Sequence, residues 1–480
     1  MTRLGKSNAL KTICAHVAEY GYQHDVPIGQ LIFDPAGEYA NINVQDQTAL
    51  AQLGDTLVRR YRYGATEAEL AANSDLATLA LNFYAADQLE AVWGMCQTVA
   101  QQEANVPGFL KAFVDADPVG VNDEAEDAGE THGNRIKTSR VRFLFYAMLL
   151  KLELQPPPGY RVYAPMSKPL RQELAGLDER VQFLADDAQL TTDGKIPKGG
   201  GAVLLSPPEA LVVAEVIAEN AQSDTPGAEV ARWWTATPRI NAIGVMVAPH
   251  GHRGFKALLD VKAFHSSHAG DDYAVKIYDD LVAGRIVIVD LSKGTERVLQ
   301  FASERVIRHV LARQAALFSA GEQPHKIQIC LEEAHRLFAR DKFQQSTSTD
   351  PYVTMAREAA KFNLGMIFAT QEPAAVDESV LNQTSNWIVA HLNDEAQVKR
   401  IEGRYEFKRF KDQILSAEDP GFVRLKTASS RYVLPVQIHR FDHAVINRVR
   451  ASAGLEPIHL DDTPEEPAFI DGVVAVEPPE

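Results

Sequence analysis

Five short apolar runs, most of them closed by an acidic or polar residue, constrain this chain more than anything else in its sequence. Ile28-Gly29-Gln30-Leu31-Ile32-Phe33 ends at Asp34-Pro35, and Arg285-Ile286-Val287-Ile288-Val289-Asp290-Leu291 is a β-branched run. Ile327-Gln328-Ile329-Cys330-Leu331 meets Glu332-Glu333, Gly365-Met366-Ile367-Phe368-Ala369-Thr370 ends at Gln371, and Trp387-Ile388-Val389-Ala390-His391 follows. Runs this short and this apolar suit strands covered on both faces, and helix-like stretches between them, such as Thr295–Phe318, supply crossovers. The expected fold class is therefore α/β, with a mostly parallel sheet.

The rhythm is interrupted. Between Gln47 and Gly284 helical periodicity dominates, in Leu50–Tyr61, Glu67–Gln102, Ser139–Leu154, Pro208–Asn220 and Tyr273–Leu281. Acidic, proline-rich and glycine-rich joints at 123–135, 155–159 and 194–201 break it into pieces. A chain of 480 residues is too long for one small core. The organisation expected is a core of residues 1–46 and 284–450, a mainly helical insertion at 47–283, and a mobile acidic tail at 451–480. Gly421–Gln437 reads as a hairpin around Ala428-Ser429-Ser430, and Asn41–Val44 as a short strand.

Charge and cysteine usage narrow the function. With 48 Lys plus Arg against 64 Asp plus Glu, the net charge is −16, so the average field repels polyanions and any nucleic-acid contact must be local. Cys14, Cys96 and Cys330 lie far apart with no CxxC spacing, which disfavours a disulfide framework or a thiolate zinc site. No apolar run approaches the roughly 18 to 20 residues that cross a bilayer, and Thr2-Arg3-Leu4-Gly5-Lys6 is no signal core. A cytoplasmic protein without membrane partners is expected.

Chemistry concentrates at two places. Leu4-Gly5-Lys6-Ser7, opening a helix, matches the second half of GxxxxGK[ST], in which backbone N–H groups and a helix N-terminus cradle phosphate, Lys reaches the outer phosphates and Ser ligates Mg²⁺. A glycine before an ordinary helix reads the same way. The motif's first glycine would fall one position before Met1, and the strand that feeds such a loop would precede it. The chain is therefore expected to be a fragment or to start at an internal methionine. Leu331-Glu332-Glu333 is the second place: a strand ending in two acids can orient Mg²⁺ with one carboxylate and polarise an attacking water with the other. Two acids at a helix N-terminus, favoured by the dipole, are the plainer alternative. In a parallel sheet the carboxyl ends converge, so Lys6, Asp34, Glu332 and Gln371 can reach one crevice.

Together, Leu4-Gly5-Lys6-Ser7-Asn8, Ile32-Phe33-Asp34-Pro35-Ala36-Gly37-Glu38-Tyr39, Leu331-Glu332-Glu333-Ala334-His335-Arg336 and Ala369-Thr370-Gln371-Glu372-Pro373 resemble the HerA family of HerA/FtsK-type ATPases, as does Leu381–Asn393. The resemblance implies a RecA-like P-loop NTPase core with a large helical insertion. It also implies a hexameric homo-oligomer that hydrolyses ATP with Mg²⁺ at subunit junctions and translocates on, or unwinds, double-stranded DNA. Residue by residue, it implies that Gly5, Lys6, Ser7 and Asn8 hold the nucleotide, with Asp34 nearby or serving a turn. Ser7 and Glu332 would hold the metal, Glu333 activate water and Gln371 sense the γ-phosphate. Arg357 would be an arginine finger, with Lys361 as substitute; a solvated helix charge is its plain reading. Relatives work with a nuclease or a sirtuin-like NADase in DNA-end processing or antiphage defence, so a partner effector is implied. The family's N-terminal barrel is expected to be missing from this chain. A different class of function, a ring-shaped scaffold with vestigial or regulatory ATP binding, is compatible with the clipped phosphate loop.

DNA contact is carried by few residues: Arg135 and Lys137 in the basic stretch 134–142, and Arg340 and Lys342 after the paired acids, with Arg253 and Lys256 as shorter candidates. His250, His252, His265 and His268 read as surface histidines and not as a metal site.

Overall fold

The computed structural model describes residues 6–42, 47–101, 128–197, 201–236, 261–268, 271–339, 350–416 and 421–458. Its strands are β1 (Ile28–Asp34), β2 (Val58–Arg62), β3 (Leu76–Thr78), β4 (Val162–Ala164), β5 (Val203–Leu205) and β6 (Ile286–Asp290). They continue with β7 (Lys326–Leu331), β8 (Leu364–Phe368), β9 (Trp387–Val389), β10 (Phe422–Lys426) and β11 (Leu434–Gln437). Six of them form a parallel sheet in the order β3-β2-β6-β1-β7-β8, so the chain has the α/β, RecA-like arrangement expected.

Both faces of this sheet are covered, which explains why its central strands lack polar alternation. Successive side chains of β1 point to opposite faces. Leu31 and Phe33 join Val287, Val289 and Ile329 under the helices Tyr273–Val282, Glu296–Ser319 and Pro351–Glu358. Ile32 joins Ile286, Ile288 and Cys330 on the other face, where the first helix, Lys6–Gln23, sets Leu10, Cys14 and Ala18 beside Ile446 and Val449 of the last helix, His443–Ser452. The spacing of 10, 14 and 18 is one helical stripe. Gly29 lets the helix Tyr273–Val282 come close: a Cβ there would lie 2.3 Å from the carbonyl oxygen of Leu281.

Two stretches expected to be helical instead supply strands to the sheet. In Leu50–Tyr61 only Leu50–Leu53 is helical, as one 3₁₀ turn, and Gly54 with φ of 101° ends it before β2. Val58 and Tyr61, three apart and both buried, imitate helical spacing. Within Glu67–Gln102, a Thr66 capping box starts the short helix Glu67–Ala72, then β3 intervenes before Leu89–Gln101 resumes the helix. The described remainder of 47–283 is mainly helical around the antiparallel pair β4-β5, and its Leu144, Val213 and Val230 belong to the same continuous core as Leu31. The expected hairpin forms as β10-β11. The Trp387 run does not join the parallel sheet but pairs antiparallel with β10, because only one face of it is covered: Trp387 and Val389 are buried while Ile388 is exposed. Residues 43 and 44 of the expected strand at 41–44, and 459–480 of the tail, lie outside the described residues.

Candidate nucleotide site

Strand register sets the site. Asp34 of β1 stands beside Asp290 of β6, and Leu331 of β7 beside Phe368 of β8, so the acids and polar residues that close these runs line one edge of the sheet. β1 lies between β6 and β7, which places the crevice of a doubly wound sheet at its carboxyl end. The N-terminus of the first helix reaches the same edge. Lys6 Nζ is 3.4 Å from Glu333 Oε1, and the two side chains are 30% and 31% exposed. Half-buried Ser7 follows on the same turn.

Glu333 adopts φ 47° and ψ 44°, a left-handed conformation that costs a side-chain-bearing residue about 1 kcal/mol. The chain turns there from β7 into the short helix Ala334–Leu337, and the turn is tied to the next strand by Ala334 N–H donating to Ala369 O at 3.0 Å. Glu333 Oε2 is 3.5 Å from His335 Nδ1, which in turn is 3.2 Å from Thr370 Oγ1. Glu332 is more enclosed. Burial holds its carboxyl above the usual carboxylate range; a hydrogen bond from the Tyr39 hydroxyl to its Oε1 opposes this. The two adjacent acids are thereby distinguished, one packed and hydrogen-bonded, the other open and beside a cation.

Asp34 takes the turn role that its position left open, and the Asn8 side chain is engaged by groups of the protein. Asp34 is fully buried, and its carboxylate accepts from the backbone N–H groups of Glu38, Tyr39 and Ala40, each at 2.9 Å. Burial pushes its pKa up to about 6 despite those bonds, with Asp290 adding to the rise. Its work is to fold the loop that follows β1. Asn8 uses both ends of its carboxamide to fasten the first helix to the segment before the last one, donating to His439 O at 3.0 Å and accepting from Phe441 N–H at 2.7 Å.

Gln371 is exposed three residues beyond β8. Arg357 is exposed in the last turn of Pro351–Glu358, and Lys361 nearby pairs with Glu358 at 3.2 Å. Lys137 is exposed on the helix Ala128–Lys151, which also contains Arg135, whose side chain lies outside those described. Gly5, Arg253, Lys256, Arg340, Lys342, His250 and His252 also lie outside the described residues. His265 is no surface histidine: it is half-buried edge-on to Phe83 and Tyr84, its Nε2 2.7 Å from Gln155 O. Among the described residues no group of three or more potential ligands is gathered for a metal. No helix among them is long and apolar enough to cross a membrane.

Sequence reasoning missed what Tyr39, His335 and Thr370 do. All three sit inside the quoted boxes, but spacing along the chain carries no sign that the Tyr39 hydroxyl crosses to residue 332.

Magnesium favours oxygen ligands, so the Ser7 hydroxyl and the Glu332 carboxylate are the groups that would hold it, and Lys6 is of the kind that suits phosphate. A parallel α/β sheet with a lysine at a helix N-terminus and two acids at its carboxyl edge is the arrangement of the P-loop NTPase class. Over 138 residues the chain is 25% identical to the DNA double-strand break repair helicase HerA of Sulfurisphaera tokodaii, covering 27% of this chain and 26% of that protein. To the helicase of the same name from Sulfolobus acidocaldarius it is 27% identical over 128 residues, or 26% and 25% of the two chains. The chain thus spans about a quarter of the length of the curated relatives it matches. These similarities support the resemblance at the level of a HerA/FtsK-like ATPase. No protein-family model matches the chain. Among solved structures, the genome packaging NTPase B204 of Sulfolobus turreted icosahedral virus 2, in complex with ATP-γ-S, aligns with TM-score 0.24 and 13% identity, over 34% of this chain and 72% of that one.

Proposed function

We propose that this chain hydrolyses ATP as a subunit of a HerA-like hexameric DNA translocase or helicase. In this reading it acts on double-stranded DNA with a partner effector, a nuclease or a sirtuin-like NADase, in DNA-end processing or antiphage defence. The observation that carries the reading is the approach of Lys6 to Glu333, with Glu332 adjacent, at the carboxyl edge of a parallel sheet.

The residues divide the work. Lys6, at the positive end of an 18-residue helix, binds the outer phosphates. Bound magnesium, held by Ser7 and Glu332, would neutralise phosphate charge. Glu333, next to the cation and open to solvent on one side, takes the proton of the attacking water. Thr370 and His335 hold the turn that aims Glu333, while Gln371, just beyond them, would sense the γ-phosphate. Arg357, exposed near the end of its helix, is offered to a neighbouring subunit, and Lys137, Arg135, Arg340 and Lys342 are the DNA candidates.

The test is ATP turnover by the purified chain with double-stranded DNA, compared with Glu333→Gln. Equal turnover in both removes the assigned role of Glu333.

A further inference from the structure

We propose that Tyr39 is a positioning residue that fixes the carboxylate of Glu332 from behind, so that its second oxygen is presented to the nucleotide's metal; this rests on the ATPase reading above. Tyr39 is fully buried, and its hydroxyl donates to Glu332 Oε1 across the gap between the β1 loop and the end of β7. A carboxylate on a free Cβ–Cγ–Cδ stem can rotate; one oxygen held by a phenol leaves the other with a defined direction.

The loop that carries Tyr39 is itself closed at both ends. From inside, Asp34 Oδ2 accepts the N–H groups of Tyr39 and Ala40, and Oδ1 that of Glu38. From outside, Asn41 donates its side-chain amide to Gly37 O at 3.1 Å and accepts from Arg62, whose guanidinium also pairs with buried Asp290 at 2.7 Å. Gly37 turns with φ of 75°, and a Cβ on it would lie 2.8 Å from Asn41 Nδ2. The chain of support therefore runs from Asp34 through the Tyr39 backbone to its hydroxyl and on to Glu332. This explains why an acid at the end of β1 is kept buried at a cost in ionisation.

An aromatic that merely filled the core would be replaced by phenylalanine without effect, which makes Tyr39→Phe the informative variant. In the full chain we would measure Mn²⁺ binding by electron paramagnetic resonance in the presence of ATP-γ-S, and ATP-γ-S binding in EDTA. Outer-shell partners of metal ligands typically account for about 10- to 100-fold in metal affinity. Tyr39→Phe is expected to weaken Mn²⁺ binding about 10-fold and to leave metal-free nucleotide binding unchanged. In a Glu332→Gln background the same change should add nothing, since Tyr39 acts through Glu332. Wild-type Mn²⁺ affinity in Tyr39→Phe, or equal losses in both backgrounds, would overturn the assignment. Failure of the wild type itself to bind Mn²⁺ with nucleotide is a separate result, and it overturns the ATPase reading together with this one.

Discussion

Lys6 Nζ and Glu333 Oε1 lie 3.4 Å apart although 327 positions separate them in sequence. The first helix and β7 are brought together beside β1, which pairs with β7; Ile32 of β1 and Cys330 of β7 both pack in the cluster that holds the helix. At 3.4 Å a cation and a carboxylate are in direct contact and attract, so a phosphate that binds Lys6 must part the pair.

Glu333→Gln keeps the size of the side chain and so the left-handed turn, while removing the base. Turnover should fall about 10²- to 10⁴-fold with nucleotide binding retained. Lys6→Met should lose binding instead. Phosphate release and a nucleotide titration on both variants separate these effects.

Arg357→Ala should lower turnover by about 10³-fold or more while leaving nucleotide affinity unchanged, if it acts on a neighbour's phosphate. Lys361→Ala should have little effect, because Lys361 is paired with Glu358 on the surface. Steady-state kinetics with saturating ATP distinguishes the two.

Arg62 holds the fully buried Asp290 at the end of β6. Removing the cation strands a buried carboxylate, and Arg62→Ala should destabilise the fold by about 3–5 kcal/mol at neutral pH. Urea unfolding measures it; a loss below about 1 kcal/mol contradicts the pairing.

Asp34 ties stability to pH. Its folded pKa, about 6, is raised above the ordinary aspartate value of 3.8 by burial, so the native state holds the proton more tightly than the unfolded chain. The stabilisation is full below about pH 4 and is lost as pH rises through 6, an effect on the order of 2–3 kcal/mol. Unfolding midpoints at pH 4.5 and 6.5 should show this decline in the wild type and a smaller one in Asp34→Asn. An equal decline in both would mean that other groups cause it.

All three cysteines are buried, and Cys14 Sγ lies 3.8 Å from Cys330 Sγ beneath the site. Burial pushes the Cys96 thiol up to about 12, and the neighbouring Cys14 together with burial raises Cys330. Thiols held protonated and out of solvent react slowly. A maleimide should label none of them in the native chain and all three in urea; rapid native labelling would place at least one at the surface.

The parallel sheet was legible wherever a strand is covered on both faces. The runs at 28–33, 285–291, 327–331 and 365–370 carry their burial in their composition, and β1, β6, β7 and β8 lie within or beside them. β2 and β3 were not legible. In β2 the buried Val58 and Tyr61 lie on opposite faces, and Arg60 and Arg62 share the face of Val58, their guanidiniums neutralised by Asp75, Asp290 and Glu69 contributed from elsewhere in the fold. Asp34 and Asn8 illustrate the same limit in the site: both belong to boxes that suggest nucleotide contact, yet their polar atoms are engaged by backbone groups of the protein.

The amino-acid order by itself determined which segments could be buried strands, and that acids and polar residues close them on one side. It did so because burial and side-chain alternation are local properties of a segment. Only the tertiary structure decided which of those end residues meet: Lys6 with Glu333, Tyr39 with Glu332, Asp34 with its own loop. Such partnerships depend on strand order and register, which are settled by how the two faces of the sheet pack and not by any neighbour along the chain.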